Sequence, residues 1–280
     1  MKKINVSIVL YNTNIAELNR CIKSIDFSSK VNLLTLIDNS EAALDTSSLH
    51  KPKSFKIKYL FNESNLGYGT AHNIAINNSI KSKNIIYHLV INADIFFSYN
   101  VIDRCYEFME LNSNIGNVVP NILYPDGSPQ YPGRLIPSPF DFIVRFFAPN
   151  FLKKIHKERF ALVNFYNKSL NFNAPFCSGC FMFLRLSDIT KIGSFDERYF
   201  LYPEDIDLSR RIALYTNQVV MSSETIFHDH GKAYVKSFKM FWIMFVNMMK
   251  YFNKWGWFND KIRIKINKET INQWNNKTYE

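Results

Sequence analysis

Within its first 111 residues this chain changes its hydrophobic period again and again. Short apolar runs occupy residues 6–10, 33–37, 57–61 and 85–91. Helical spacing lies between them. Asn14 stands where it can cap a helix over 16–25, with Leu18, Ile22 and Ile25 on one face. Residues 67–80 read as a loop leading into a helix, and 101–111 as a further helix. Strands that alternate with helices predict an α/β fold with parallel crossovers. The runs are almost continuously apolar, so the sheet should be covered on both faces.

The second half is less regular. Residues 120–140 hold Pro120, Pro125, Gly127, Pro129, Pro132, Gly133, Pro137 and Pro139, and read as an ordered loop over the sheet. Residues 142–160 mix aromatic side chains with Arg145, Lys153, Lys154, Lys157 and Arg159. A buried strand is expected over 176–186, a helix over 206–215 and a strand over 219–227. There is no internal repeat.

Hydrophobic residues at 47% and charged residues at 21% exclude a disordered or low-complexity chain. Four cysteines in 280 residues are too few for a disulfide scaffold. Cys177-Ser178-Gly179-Cys180 has the spacing of half a zinc site, but no second pair completes it, so both are expected as packed core cysteines. No apolar stretch reaches about 18 residues, and no small-residue cleavage site follows the first strand. Neither a spanning helix nor a secretory signal is therefore expected, and a reducing cytoplasm is the expected compartment.

The net charge of +10 is concentrated. Nine basic residues between Lys232 and Lys268 face one acid, Asp260, so this segment carries +8 of the total. Phe238, Phe241, Trp242, Phe245, Met248, Met249, Phe252 and Trp255 recur there at three- and four-residue steps, forming one apolar helix face. Such a tail either packs on the main body or meets an anionic membrane surface, with Trp255, Trp257 and Phe258 as interface rings. A basic nucleic-acid-binding protein is the rival reading.

Candidate chemistry sits where runs end. Asp38 closes the second run and Asp94 follows the fourth, and ligands of open α/β sheets bind beyond the carboxyl ends of strands. Each is either a ligand-binding acid or a turn acid capping the next helix. The segment from Asn65 to Asn73 carries Gly67 and Gly69 but matches neither a dinucleotide fingerprint nor a P-loop. His72 within it reads as a helix-surface residue. Glu204, Asp205 and Asp207 crowd the start of a helix and precede Arg210 and Arg211. One acid can face a cleft while the others cap the helix or pair with Arg211. A helix start lowers the pKa of Asp205, whereas its acidic neighbours raise it. His228 or His230 either joins Asp94 around a metal or lies in a solvated loop.

Taken in order, five blocks resemble family 2 glycosyltransferases of the GT-A fold, in particular the bacterial rhamnosyltransferase-like branch of surface polysaccharide synthesis. They are residues 6–12, Ile37-Asp38-Asn39-Ser40, the segment from Asn65 to Gly69 with Asn73, Asn92-Ala93-Asp94, and residues 193–208. The resemblance implies a mostly parallel sheet flanked by helices, with a nucleotide-sugar half at about 1–118, an acceptor half at about 119–231 and a basic amphipathic extension over 232–280. It implies an inverting displacement with Asp205 as general base, donor contacts at Asp38, Asn65, Gly67, Asn73 and Asn92, and Glu204, Asp207 and Arg211 on the acceptor side. Mg²⁺ or Mn²⁺ would lie on Asp94 with His228 or His230. Asn92 stands where the family pattern has an acid, which leaves Asp94 as the strong ligand. The implied donor is dTDP-L-rhamnose, with a UDP-hexose as the alternative. The implied acceptor is a lipid-linked oligosaccharide at the inner face of the cytoplasmic membrane, with no nucleic-acid partner.

Overall fold

The computed structural model describes residues 3–166, 168, 170–229 and 238–273. In chain order the strands are β1 (Ile4–Leu10), β2 (Val31–Asp38), β3 (Lys56–Phe61), β4 (Tyr87–Ile91), β5 (Ile95–Phe96), β6 (Ile115–Leu123), β7 (Gly133–Arg134), β8 (Phe172–Asn173), β9 (Phe176–Cys177), β10 (Phe181–Arg185) and β11 (Asn217–His228). The helices are α1 (Ile15–Ile25), α2 (Tyr68–Lys81), α3 (Val101–Leu111), α4 (Pro139–Phe147), α5 (Asn150–Phe160), α6 (Val163–Tyr166), α7 (Leu186–Ile192), α8 (Glu204–Tyr215), α9 (Phe238–Trp255) and α10 (Lys261–Asn272).

The main sheet runs β3-β2-β1-β4-β10-β6-β11-β5, with β8 paired to β11. The strands from β3 to β4 are mutually parallel. β10 enters antiparallel between β4 and β6, and β6 and β11 are parallel to each other. Ile4, Val6, Ile8, Leu34, Leu36, Leu89 and Ile91 are all fully buried, as strands covered on both faces require. The Asn14 side chain accepts a hydrogen bond from the Ala16 amide, and Leu18, Ile22 and Ile25 of α1 turn into the core.

Three expectations are corrected. The Pro-rich stretch does not begin at residue 120, because β6 runs through Pro120 to Leu123. Proline donates no ladder hydrogen bond, but β10 pairs with β6 only at Asn117 and Val118, and β11 shifts register between Met221 and Thr225. Pro120 thus lies beyond the β10 pairing and forms the last pair with β11, at Met221, before the register shift. His72 is not on a helix surface. It is fully buried, with Nδ1 2.7 Å from the Ser7 hydroxyl, which also lies 2.8 Å from His88 Nε2. Burial, and then the neighbouring His88, hold His72 well below the usual histidine range; burial alone takes His88 down to about 3.

The third correction concerns Trp255, one of the rings expected at a membrane interface. Met244, Met248, Tyr251 and Phe252 of α9 are buried with Ile136 and Tyr199, and each such side chain contributes about 1.5–3 kcal/mol. Trp255 is no interface ring: its indole donates to Asp207 at 2.7 Å, and the Arg210 guanidinium stacks 4.2 Å from its ring centre. Arg210 forms a bidentate pair with Asp260 just ahead of α10, at 2.6 and 2.7 Å and almost wholly buried. Lys254 binds both Asp196 and Asp207, so part of the tail's charge is neutralised internally. Phe238 and Trp242 remain exposed.

Candidate active site

The chain leaves β1 to build β2 and β3 on one side, then returns to place β4 on the other. A ligand crevice is expected where strand order reverses, beyond the carboxyl ends of β1 and β4. One wall comes from β1 and β2. A cleft of about 240 Å³ is lined by Leu10, Asn12, Thr13, Asp38, Ser40 and the 42–45 segment. Asp38 is buried in this wall, and its carboxylate accepts from the Ser40 and Leu44 amides, each at 3.0 Å, and from the Tyr59 hydroxyl at 2.6 Å. Burial opposes its charge, yet bonds from Ser40, Tyr59 and Leu44 hold its pKa below the ordinary value.

The glycine loop links the two walls. Asn65 Oδ1 accepts from the Gly67 amide at 2.9 Å and from Asn39 at 3.2 Å. Gly67 has φ +84°, and a Cβ there would clash with the Phe200 carbonyl oxygen, so only glycine fits. That carbonyl takes the first amide of α2, from Tyr68, at 3.0 Å. The helix start is thereby anchored to the 193–202 loop.

The other wall gathers the end of β4, the end of β11 and the start of α8. The Tyr68 hydroxyl lies 2.9 Å from Asn92 Oδ1 and 2.8 Å from the Gly179 carbonyl oxygen, and its one proton serves either acceptor. Asp94 Oδ1 lies 3.1 Å from His228 Nε2 but receives no hydrogen bond of good geometry, though it is buried. His228 is oriented by Gln130, whose amide donates to its carbonyl at 2.7 Å while Nδ1 faces Gln130 Oε1 at 2.9 Å. The amide oxygen can only accept, so Nδ1 carries the proton and Nε2 is the atom turned to Asp94. Burial works against charge on His228, but Cys180 and Asp94 beside it raise its pKa to about 10.

Asp205 sits at the first turn of α8. Its Oδ2 accepts from the Gly179 amide at 3.0 Å and its Oδ1 from the Ile206 amide at 2.8 Å. Burial outweighs these bonds and the charge of Arg134, so its pKa stands above the ordinary aspartate value. The contest between helix start and acidic surroundings is settled chiefly by desolvation. Glu204 is buried beside it, with no partner for Oε2, and burial followed by the Asp205 charge raises it to about 8.

Other sequence candidates turn elsewhere. Asn73 donates to the Phe195 carbonyl and the Glu197 carboxylate and accepts from the Phe195 amide, which clamps the loop over α2. Asp207 accepts from Arg211, Lys254 and Trp255, so it faces the tail. Arg211 also donates to the carbonyls of Ile192, Gly193 and Ser194. His230 lies outside the described residues. Sequence reasoning passed over Tyr68, Gln130 and Arg134. Tyr68 carried a signal, as the aromatic between two glycines. Gln130 and Arg134 lay in the stretch read as a loop. Cys177 and Cys180 are free and buried, as expected.

The residues present suit a divalent cation. The buried Asp94 oxygen and His228 Nε2, which must give up its proton before it can ligate, form an oxygen and nitrogen pair appropriate to Mg²⁺ or Mn²⁺. Among the described residues no three His, Cys, Asp or Glu side chains come together, so remaining ligands would come from water or a bound diphosphate.

This switch-point crevice with an acid after β4 and a second acid heading a late helix belongs to the GT-A arrangement of nucleotide-sugar enzymes. Residues 6–193 match the family described as Glycosyl transferase family 2, and the chain belongs to that family. It is similar to Rhamnosyltransferase WbbL of Escherichia coli (strain K12), 28% identical over 154 residues that make up 53% of this chain and 54% of that relative. The chain thus spans about half the length of that curated relative. It also resembles the crystal structure of GalNAc-T7 with UDP, GalNAc and Mn²⁺, with a TM-score of 0.56 over 81% of this chain and 43% of that one, at 15% identity. That likeness is one of fold.

Proposed function

We propose that the chain is an inverting glycosyltransferase that moves L-rhamnose from dTDP-L-rhamnose to a lipid-linked saccharide in bacterial surface-polysaccharide (O-antigen) synthesis, on the inner face of the cytoplasmic membrane. The observation that carries this reading is Asp205, held by two backbone amides on the same wall as Asp94 and His228. Rhamnose as the sugar is supported by the similarity to WbbL and by Asn92 in place of an acid.

Asp205 takes the proton of the acceptor hydroxyl while that oxygen attacks the anomeric carbon. The bond from this carbon to the diphosphate breaks on the opposite face, and the nucleoside diphosphate leaves with the electron pair. Its raised pKa makes Asp205 a stronger base than an ordinary aspartate once ionised. Asp94 and His228 would hold Mg²⁺ or Mn²⁺, which supplies charge neutralisation at the leaving diphosphate. Asp38 shapes the nucleotide side through the loop it ties down, and Asn65 and Gly67 line the approach. Tyr68 joins Asn92 to Gly179, so it couples the donor wall to the backbone that positions Asp205.

The test is a donor screen by thermal shift with dTDP- and UDP-sugars, with and without Mg²⁺ or Mn²⁺, followed by NMR of the product's anomeric configuration. Stabilisation by dTDP-L-rhamnose and inversion at the transferred sugar are expected. Stabilisation by a UDP-hexose alone would move the assignment to that donor, and retention at the anomeric centre would overturn the single displacement.

A further inference from the structure

Helices α4 and α5 carry apolar side chains that the fold leaves uncovered. Phe140, Ile143 and Phe147 recur along α4 at three- and four-residue steps and are all exposed. In α5 not one residue is buried, and Phe151, Leu152 and Ile155 are exposed together on it. The first turns of α9 add Phe238 and Trp242, and the Phe142 and Phe245 rings, 6.4 Å apart, join α9 to α4. His156 pairs with Asp141 at 2.6 Å and fixes α5 against α4. Α capping box at Ser138 and Asp141, with Pro139 in the first turn, fixes where α4 begins. These helices are therefore held in place, yet Phe140, Ile143, Phe147, Phe151, Leu152 and Ile155 are exposed. A soluble monomer rarely exposes so much contiguous apolar surface without a use for it.

The charges around this patch are predominantly positive. α5 contributes Lys153, Lys154, Lys157 and Arg159 against Glu158 alone, and α9 adds Lys239. The one acid of α4, Asp141, is paired with His156. Two copies meeting through this patch about a twofold axis would bring like charges together. An anionic surface that also accepts apolar side chains satisfies both features.

We infer that α4, α5 and the first turns of α9 form a docking surface for an anionic lipid bilayer. This surface is distinct from the basic end of the tail, whose Lys254 and Trp255 are committed to Asp207. It deepens the lipid-linked acceptor reading at another place on the molecule, and its test needs no turnover, so either can fail alone.

The experiment is co-sedimentation with vesicles of phosphatidylcholine, or of phosphatidylcholine mixed with phosphatidylglycerol, at low and high salt. Binding to the anionic vesicles should exceed binding to neutral ones by at least about tenfold at low salt, and fall as salt screens the charge. The variant F151S/I155S removes no buried contact and should reduce binding by about tenfold or more. K154E/K157E should reduce it similarly, whereas K261E/K265E on α10 should change it little. Absence of wild-type binding to anionic vesicles at low salt would overturn the inference. So would F151S/I155S binding like wild type, a dominant loss from the α10 variant, or a dimer in solution that F151S/I155S dissociates.

Discussion

The two walls of the cleft differ in what their acids have left to do. On the β2 wall, Asp38 is surrounded by donors from its own chain, and its pKa is held low. On the β4 and α8 wall, Asp94 Oδ1 and Glu204 Oε2 are buried without a hydrogen-bond donor, and Asp205 and Glu204 are pushed up. A satisfied carboxylate builds shape; an unsatisfied one carries a desolvation cost that a ligand or proton can relieve. The same contrast recurs within the first turn of α8. Asp205 takes its hydrogen bonds from the Gly179 and Ile206 amides. Asp207, two residues on, is enclosed by Arg211, Lys254 and Trp255.

The largest expected effect breaks this comparison at Asp205. Asp205→Asn keeps the shape and removes the base, so turnover should fall by about 10²–10⁴-fold while donor affinity holds. Steady-state kinetics with a donor-binding titration checks it. Normal turnover would place the base elsewhere. Asp260→Ala attacks the other kind of acid. It strands Arg210, which is 1% exposed, without its counter-charge. A stability loss of about 3–5 kcal/mol is expected in urea unfolding, because a lone buried charge is worse than no pair at all. Well-folded Asp260→Ala protein should keep donor affinity, which separates scaffold acids from cleft acids. Asp94→Ala should follow in size. In the presence of Mg²⁺ or Mn²⁺, donor affinity should drop by about 10–100-fold. EDTA should weaken wild type to the same level and leave Asp94→Ala unmoved. EDTA without effect on wild type would remove the metal from the reading.

How much of this could be read from the residues follows from the range of the forces involved. The strands β1 to β4 and the helices α1 and α3 announce themselves through local period and caps, so they were legible within a residue or two. Asp94 was legible because an acid after an apolar run needs a reason, and Asp205 because it lies in an acidic block between an aromatic run and a helix. Partners far apart in sequence were not. Nothing around His72 announces Ser7 and His88, and nothing around Asp207 announces Lys254 and Trp255. The tail's face was read at the correct period, but period cannot tell which neighbour covers it, and the catalytic body takes Met248 and Phe252 while leaving Trp242 exposed. β6 was hidden by Pro120, whose usual meaning as a breaker is overridden because β10 does not pair there and β11 shifts register just after it.

The smallest expected effect sharpens the comparison at Glu204. Its pKa in the folded chain is about 8, above the ordinary 4.5. Between these values the folded protein holds a proton that the unfolded chain has released, so stability falls as pH rises from about 4.5 to 8 and then levels. Glu204→Gln mimics the protonated form and should remove that slope. Near pH 5 the variant and wild type should melt together, whereas above pH 8 the variant should melt higher, by about 2 °C or more. Glu204 is protonated below about pH 8, so the acid limb of the kcat profile set by Asp205 should stay in place in the variant. Thermal melts across pH and a pH–rate profile check the two halves separately. Parallel melting curves would show that Glu204 is ionised and partnered in the folded protein. An acid limb moved to lower pH would show that Glu204 is charged beside the base in that range.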